Sequence, residues 1–180
     1  MSAIWEVNSS YVRSLTRAMS RLGKGATALS VATQSMVDRP DDQTWWPGTN
    51  LIELLQALER EHGRAVVDTL SIRASHDGMG VLVRPLVSVV LTFSRSRGVA
   101  LFSRVDTFTA VGVRGVKAVF AQQGDGGEVT FTFPTVVPEI VSSVWTGMMD
   151  VGFSLARGGR CVSTDLLPLQ HKYRIEFGAA

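Results

Sequence analysis

Residues 113–133 read Val-Arg-Gly-Val-Lys-Ala-Val-Phe-Ala-Gln-Gln-Gly-Asp-Gly-Gly-Glu-Val-Thr-Phe-Thr-Phe, and this stretch decides the fold. Residues 113–121 alternate and are rich in valine. Residues 128–133 put Val129, Phe131 and Phe133 on one face, at the period of two that a half-buried strand requires. Gly124-Asp125-Gly126-Gly127 between them supplies turn chemistry, so the stretch predicts a β-hairpin. Upstream, residues 105–111 (VDTFTAV) also alternate and are β-branched, which predicts another strand.

Downstream, Pro138 opens a predicted helix to about Arg157, closed by Gly158-Gly159. Residues 160–166 and 171–177 then read as two further strands. The N-terminal half is helical in pattern. Asn8–Ser10 caps a predicted helix to Leu22, with Val12, Leu15, Met19 and Leu22 on one face and Gly23 as its stop. Residues 25–37 suit a second helix, and Asp38–Asp42 a loop around Pro40. Trp45-Trp46-Pro47-Gly48 reads as an apolar turn. Thr49 is the expected cap of a helix striped by Leu51, Leu54, Leu55 and Leu58. Helices over 64–74 and about 84–96 follow. Segregated helices and strands predict one α+β domain over 1–180. Its N-terminal helical half precedes an antiparallel sheet of about four strands with one long helix inserted, in the order β-β-α-β-β.

This second half resembles the heme-nitric-oxide-binding and 4-vinyl-reductase-like superfamily, which includes Golgi transport-particle subunits. The resemblance rests on the phrase FTAVGVRGVKAVF, the single helix 138–157 and the last hairpin, Gly159–Phe177. The chain also looks like an uncharacterised myxobacterial family of about this length, and like the effector domains of some AraC-type regulators. The resemblance implies a ligand pocket between helices and sheet, or a domain used for dimerising or docking. A heme-nitric-oxide domain is expected to carry a Tyr-x-Ser-x-Arg clamp. The sequence has none, and Tyr173-Arg174-Ile175-Glu176 does not supply it. The vinyl-reductase branch carries several cysteines, whereas Cys161 stands alone here. Neither heme nor an iron–sulfur or zinc centre therefore carries over residue by residue, and the cofactor stays open.

Composition narrows the classes. The 180 residues suit one domain, 45% are hydrophobic, and the net charge is +2, so nucleic acid is not implied. One cysteine excludes an internal disulfide and fits a reducing compartment. The N-terminus lacks a signal-peptide pattern and no apolar run reaches membrane-span length, so a cytoplasmic protein is expected.

No nucleophile elbow, phosphate loop or calcium loop is present, so no catalytic residue is assigned and a non-enzymatic module is expected. Nor is any metal ligand assigned, because His62, His76 and His171 show no helical i, i+4 pairing. If heme is present, His76 in its Ser-His-Asp-Gly loop is the axial-ligand candidate. Cys161 beside Arg160 has the look of an activated thiol, but with no positioned histidine a buried core thiol is the plainer reading.

Trp145, Met148, Met149 and Phe153 share one side of the 138–157 helix. Most such stripes are core, yet flexible methionines and aromatics also line adaptable apolar pockets. They are the expected ligand-binding wall, for an apolar or amphipathic small molecule. Trp45 and Trp46 are interface candidates. So are Arg13, Arg17 and Arg21, a cationic stripe along the first helix. These give the competing expectation of a homodimeric interaction or scaffold subunit, and a heme-based gas sensor is the third.

Overall fold

The computed structural model describes residues 4–79, 87 and 96–178. The chain starts in a short strand, β1 (Glu6–Asn8), and turns at once into α1 (Ser9–Arg21). The Asn8 side chain caps α1 by accepting from the Ser10 amide at 2.9 Å. Val12, Leu15 and Met19 are buried, as their spacing predicts. α2 (Val31–Asp38) begins six residues later than expected. Residues 25–30 are drawn off by side chains of α3 (Gly48–His62) instead. Glu61 accepts from the Thr27 amide and hydroxyl at 2.7 Å each. Glu53 accepts from Ser30 and Thr33. His62 Nε2 donates to the Gly25 carbonyl at 2.7 Å.

Trp45–Pro47 is a strand, β2, and not a turn. It pairs with β1, with Trp46 opposite Val7. Trp46 is consequently buried, and its indole donates to the Pro40 carbonyl at 2.8 Å. α3 starts at Gly48 without a side-chain cap, so Thr49 does not cap it. The Gly48 amide donates to the Trp5 carbonyl at 2.9 Å, and the Trp5 ring fills the space that a Cβ at residue 48 would need. Leu51, Leu54, Leu55 and Leu58 are all fully buried. α4 (Arg64–Ala74) and a π turn (Ser75–Met79) follow. The helix expected over 84–96 lies outside the described residues except at Val87, which is helical and buried, and Ser96.

The largest correction falls on residues 105–111. They form a helix, α6 (Val105–Gly112), directly after α5 (Arg97–Phe102). The strand that begins there is only Val113–Arg114, β3, which pairs with β1. β-branched composition loses to burial, because residues 105, 108, 109 and 112 also fall at i, i+3, i+4 and i+7.

The hairpin is present as expected. β4 (Lys117–Gln123) pairs with β5 (Gly126–Thr132), placing Gln123 opposite Gly126. That leaves a two-residue turn, and Gly124 takes the positive φ of 58° that such turns require. α7 (Ser142–Ala156), led in by a 3₁₀ turn at Glu139–Val141, crosses to the last hairpin. β6 (Arg160–Leu167) and β7 (Gln170–Glu176) complete an antiparallel sheet in the order β4-β5-β7-β6. The fold is α+β, with the inserted helix in the β-β-α-β-β order read from the sequence.

The helices pack on one face of this sheet. Val129, Phe131, Tyr173 and Ile175 point into the core, and Trp145 of α7 stacks on Phe131 with ring centroids 4.2 Å apart. α4 and α7 run parallel. Arg64 donates to Ser142 Oγ at 2.6 Å and Ser143 donates to Asp68 at 2.6 Å. One to two turns on, a Cβ at Gly147 would lie 2.6 Å from the Ser71 carbonyl oxygen. Further along, His76 Nε2 donates to Asp150 at 2.8 Å.

Candidate functional site

α5, α6 and α7 line an apolar cavity of about 60 Å³ over the sheet, partly open to solvent. Leu101 and Phe102 come from α5, and Val105, Phe108 and Thr109 from α6. α7 supplies Met148, Met149, Val151, Gly152 and Leu155, and the sheet contributes Phe131. Gly152 leaves room for Phe102, whose ring tip would stand 2.9 Å from a Cβ there. Among the described residues, Thr109 is the single polar side chain on this wall. It is buried, and among the described residues its hydroxyl oxygen has no hydrogen-bond partner.

Among the four residues expected to form the ligand wall, Met148 and Met149 line the cavity. Trp145 and Phe153 are not among its lining residues. Trp145 is fully buried against Phe131 and Phe133. Phe153 packs on Phe102 at 5.4 Å, at the outer end of the aromatic group that includes Phe120 and Phe177. The sequence reading missed α6 as a wall, since it took 105–111 for a strand. The helical spacing of Val105, Phe108 and Thr109 was the signal that would have found it.

The interface candidates are spread out. Trp46 is core, and Trp45 lies half-buried beneath the Arg114 guanidinium, 3.9 Å from its ring centroid. Arg13 is paired with Asp41 at 2.7 Å and Arg21 with Asp77 at 3.4 Å, while Arg17 is exposed. The basic stripe is therefore largely balanced by acids of neighbouring turns. Cys161 is exposed on β6, and not a core thiol, because β6 is an edge strand at the far side of the sheet from β4. Its thiol is pushed up by partial desolvation, against which the Ser163 backbone acts only weakly. Arg160 is turned to Glu176 at 3.2 Å. The nucleophilic thiolate is disfavoured there.

No family model matches the chain, and no curated protein matches it. Solved structures do. One, from work on heme distortion in the H-NOX family, superposes with a TM-score of 0.57 over 96% of this chain and 95% of its own, at 12% identity. A point mutant of the T. tengcongensis H-NOX gives 0.56 over 96% and 98%, at 12% identity. An oxygen-binding H-NOX domain related to soluble guanylate cyclases, in its oxygen complex, gives 0.53 over 94% and 92%, at 11% identity. The chain has the H-NOX fold.

Sequence identity this low carries the fold alone, so the residues have to be tested for the heme that this fold implies. They do not fit it. Among the described residues, no histidine, cysteine or tyrosine lines the cavity, and no cation does. A macrocycle with two propionates asks for an axial ligand and for positive partners. The cavity is also much smaller than a porphyrin. His76, the axial candidate, is engaged by Asp150 and is not on the cavity wall. The buried histidine is His171, edge-on to Phe133, with its Nδ1 unpartnered. Burial first, and the Arg64 charge second, bring its pKa down to about 4. Among the described residues no helix is long and apolar enough to cross a membrane, and no cluster of metal-ligating side chains occurs.

Proposed function

We propose that the chain is a sensory or regulatory module that takes a small apolar ligand between α5–α6 and α7. The observation that carries this is the cavity itself, whose described wall is ten apolar residues and one threonine. Two methionines on the wall, with three rotatable bonds each, let it adapt to an occupant. α7 has its other side against α4, so an occupant pressing on Met148 and Met149 acts on the seam joining the two halves of the protein. Xenon, detected by its own NMR signal and by the Met148 and Met149 methyl resonances, tests whether the cavity admits an apolar guest. Wild-type protein shows saturable shifts at those two methyls, and their absence removes the reading.

A heme-based gas sensor is the second reading, favoured by the superposed H-NOX structures, which concern heme and an oxygen complex. At the level of fold, the likeness supports it better than a generic module, whereas the cavity wall argues against it. Hemin titration separates the two. A sharp Soret band with one equivalent bound, lost on His76→Ala, establishes heme, and a broad unsaturable absorbance leaves the apolar-ligand reading standing.

A further inference from the structure

We infer that the outer edge of β4 is a docking site for an extended segment of another protein, taken up antiparallel as a fifth strand and carrying apolar residues beside an acidic one. A groove of about 450 Å³ runs along this edge. Arg104, Val105 and Asp106 form one bank and residues 116–120 the other. Side chains of a strand alternate between its two faces, so five consecutive residues on one groove place it along the strand's edge and not over a face.

The hairpin fixes what that edge offers. Gln123 faces Gly126 across the two-residue turn, and Gly124 holds its first position at a φ of 58°. Such a turn is closed by a pair that exchanges both hydrogen bonds. The alternation then turns the amides and carbonyls of Lys117, Val119 and Ala121 to β5, and those of Ala118, Phe120 and Gln122 the other way. Among the described residues β4 pairs with β5 alone. Sheet edges are commonly guarded by bulges and charges. β6, at the other edge, has both, with a register break between Cys161 and Ser163 and with Arg160 and Asp165 on the strand. β4 runs unbroken against β5, its one charge is Lys117, and its Val119 is 46% exposed. An added strand would satisfy the free backbone groups. Ala118 and Phe120 lie opposite Phe131 and Val129, on the helix-covered face, so guest residues facing them point towards Val105 and are apolar. Among the described residues of the two banks, Arg104 and Lys117 set two cations against Asp106, so the guest residue facing Lys117 is acidic. A second copy's β4, Lys-Ala-Val-Phe-Ala-Gln-Gln, brings no acid to these cations. The occupant is therefore a different chain.

The probe is the synthetic peptide acetyl-Ser-Leu-Val-Leu-Glu-Asp-amide, titrated into the ¹⁵N-labelled full chain. Bound antiparallel, its leucines face Phe120 and Ala118 and its glutamate faces Lys117. Wild-type protein shows saturable shifts at the Ala118 and Phe120 amides, and their hydrogen exchange slows. N-methylation of both leucines deletes the amides that meet β4 and abolishes binding. Lys117→Glu, at an exposed position, weakens the peptide by about five- to tenfold, and a peptide with lysine in place of its glutamate restores the affinity. If the Ala118 and Phe120 amides of wild-type protein do not respond, or if the N-methylated peptide binds equally well, the docking site is overturned. A Lys117→Glu protein that binds the peptide as wild type does overturns the acidic partner. Protection of the same amides that grows with protein concentration, with no peptide present, makes a second copy the occupant and overturns the proposal as well.

Discussion

The imidazole of His171 stands edge-on to the ring of Phe133, with centroids 5.0 Å apart, in a fully buried position on β7. Desolvation there, helped by the Arg64 charge, lowers its pKa from 6.5 to about 4. The unfolded chain therefore binds a proton that the folded chain refuses. Stability is unaffected by this group above about pH 6.5 and falls as the pH drops from there towards 4, by as much as about 3 kcal/mol. Denaturant unfolding at pH 7 and pH 5 measures the loss, and His171→Phe removes most of it. Glu53 and Glu61 act in a lower window. Their pKa values are depressed by the Ser30, Thr33 and Thr27 hydrogen bonds, so their contribution is lost only below the ordinary carboxylate range.

Gly147→Ala destabilises the protein by about 1–3 kcal/mol. The new Cβ meets the Ser71 carbonyl oxygen and Ser75 Oγ at 2.6 Å each. Adding Ser75→Ala does not restore stability, because the Ser71 oxygen is backbone and cannot turn away. Chemical denaturation of the single and double variants reads both outcomes.

Without ligand, Thr109→Val raises stability by about 1–3 kcal/mol, since an unpartnered buried hydroxyl costs roughly that much. For a chain of this length that is on the order of 2–4 °C in Tm per kcal/mol. A variant that melts at or below the wild-type temperature shows the hydroxyl to be satisfied in solution.

Trp145→Ala costs about 3–5 kcal/mol, because the indole is fully buried and stacked on Phe131. Met148→Leu costs little, because Met148 is only partly buried and leucine nearly matches its volume. Thermal unfolding of the two variants separates a core residue from a cavity-wall residue on the same helix.

Much of the architecture was legible because it follows from local rules. The leucine stripe of α3, the Asn8 cap, the Gly124 turn and the alternation of Val129, Phe131 and Phe133 each announce their element alone. Residues 105–112 were not read correctly, because alternation and helical spacing coexist in VDTFTAVG. Only tertiary packing, chiefly against β4 and β1, chooses between them. β1 was missed for a related reason. Three residues carry no period, and Glu6–Asn8 is extended only because Trp45–Pro47 and Val113–Arg114 flank it. The cavity wall was half visible. Met148 and Met149 lie on a helix that the sequence announces, whereas Thr109 lies on one that it disguises. Cys161 was misplaced because nothing local distinguishes an edge strand from a central one.

Glu53→Ala loosens the Ser30 end of the segment between α1 and α2. Its carboxylate accepts from the Ser30 amide and from the Ser30 and Thr33 hydroxyls. Amide hydrogen exchange at Ser30 and Thr33 accelerates in the variant, while exchange in the β4–β5 hairpin does not change.

The three histidines of this chain each sit at a different joint. His62 spans from α3 to the segment after α1 through the Gly25 carbonyl, His76 ties the π turn to α7 through Asp150, and His171 is sealed between sheet and helices. Their Hε1 protons give three resonances in an otherwise sparse region of the spectrum. One histidine-only spectrum thus reports loosening of the segment after α1, separation of the α4–α7 seam and opening of the core independently, with no label introduced into the protein.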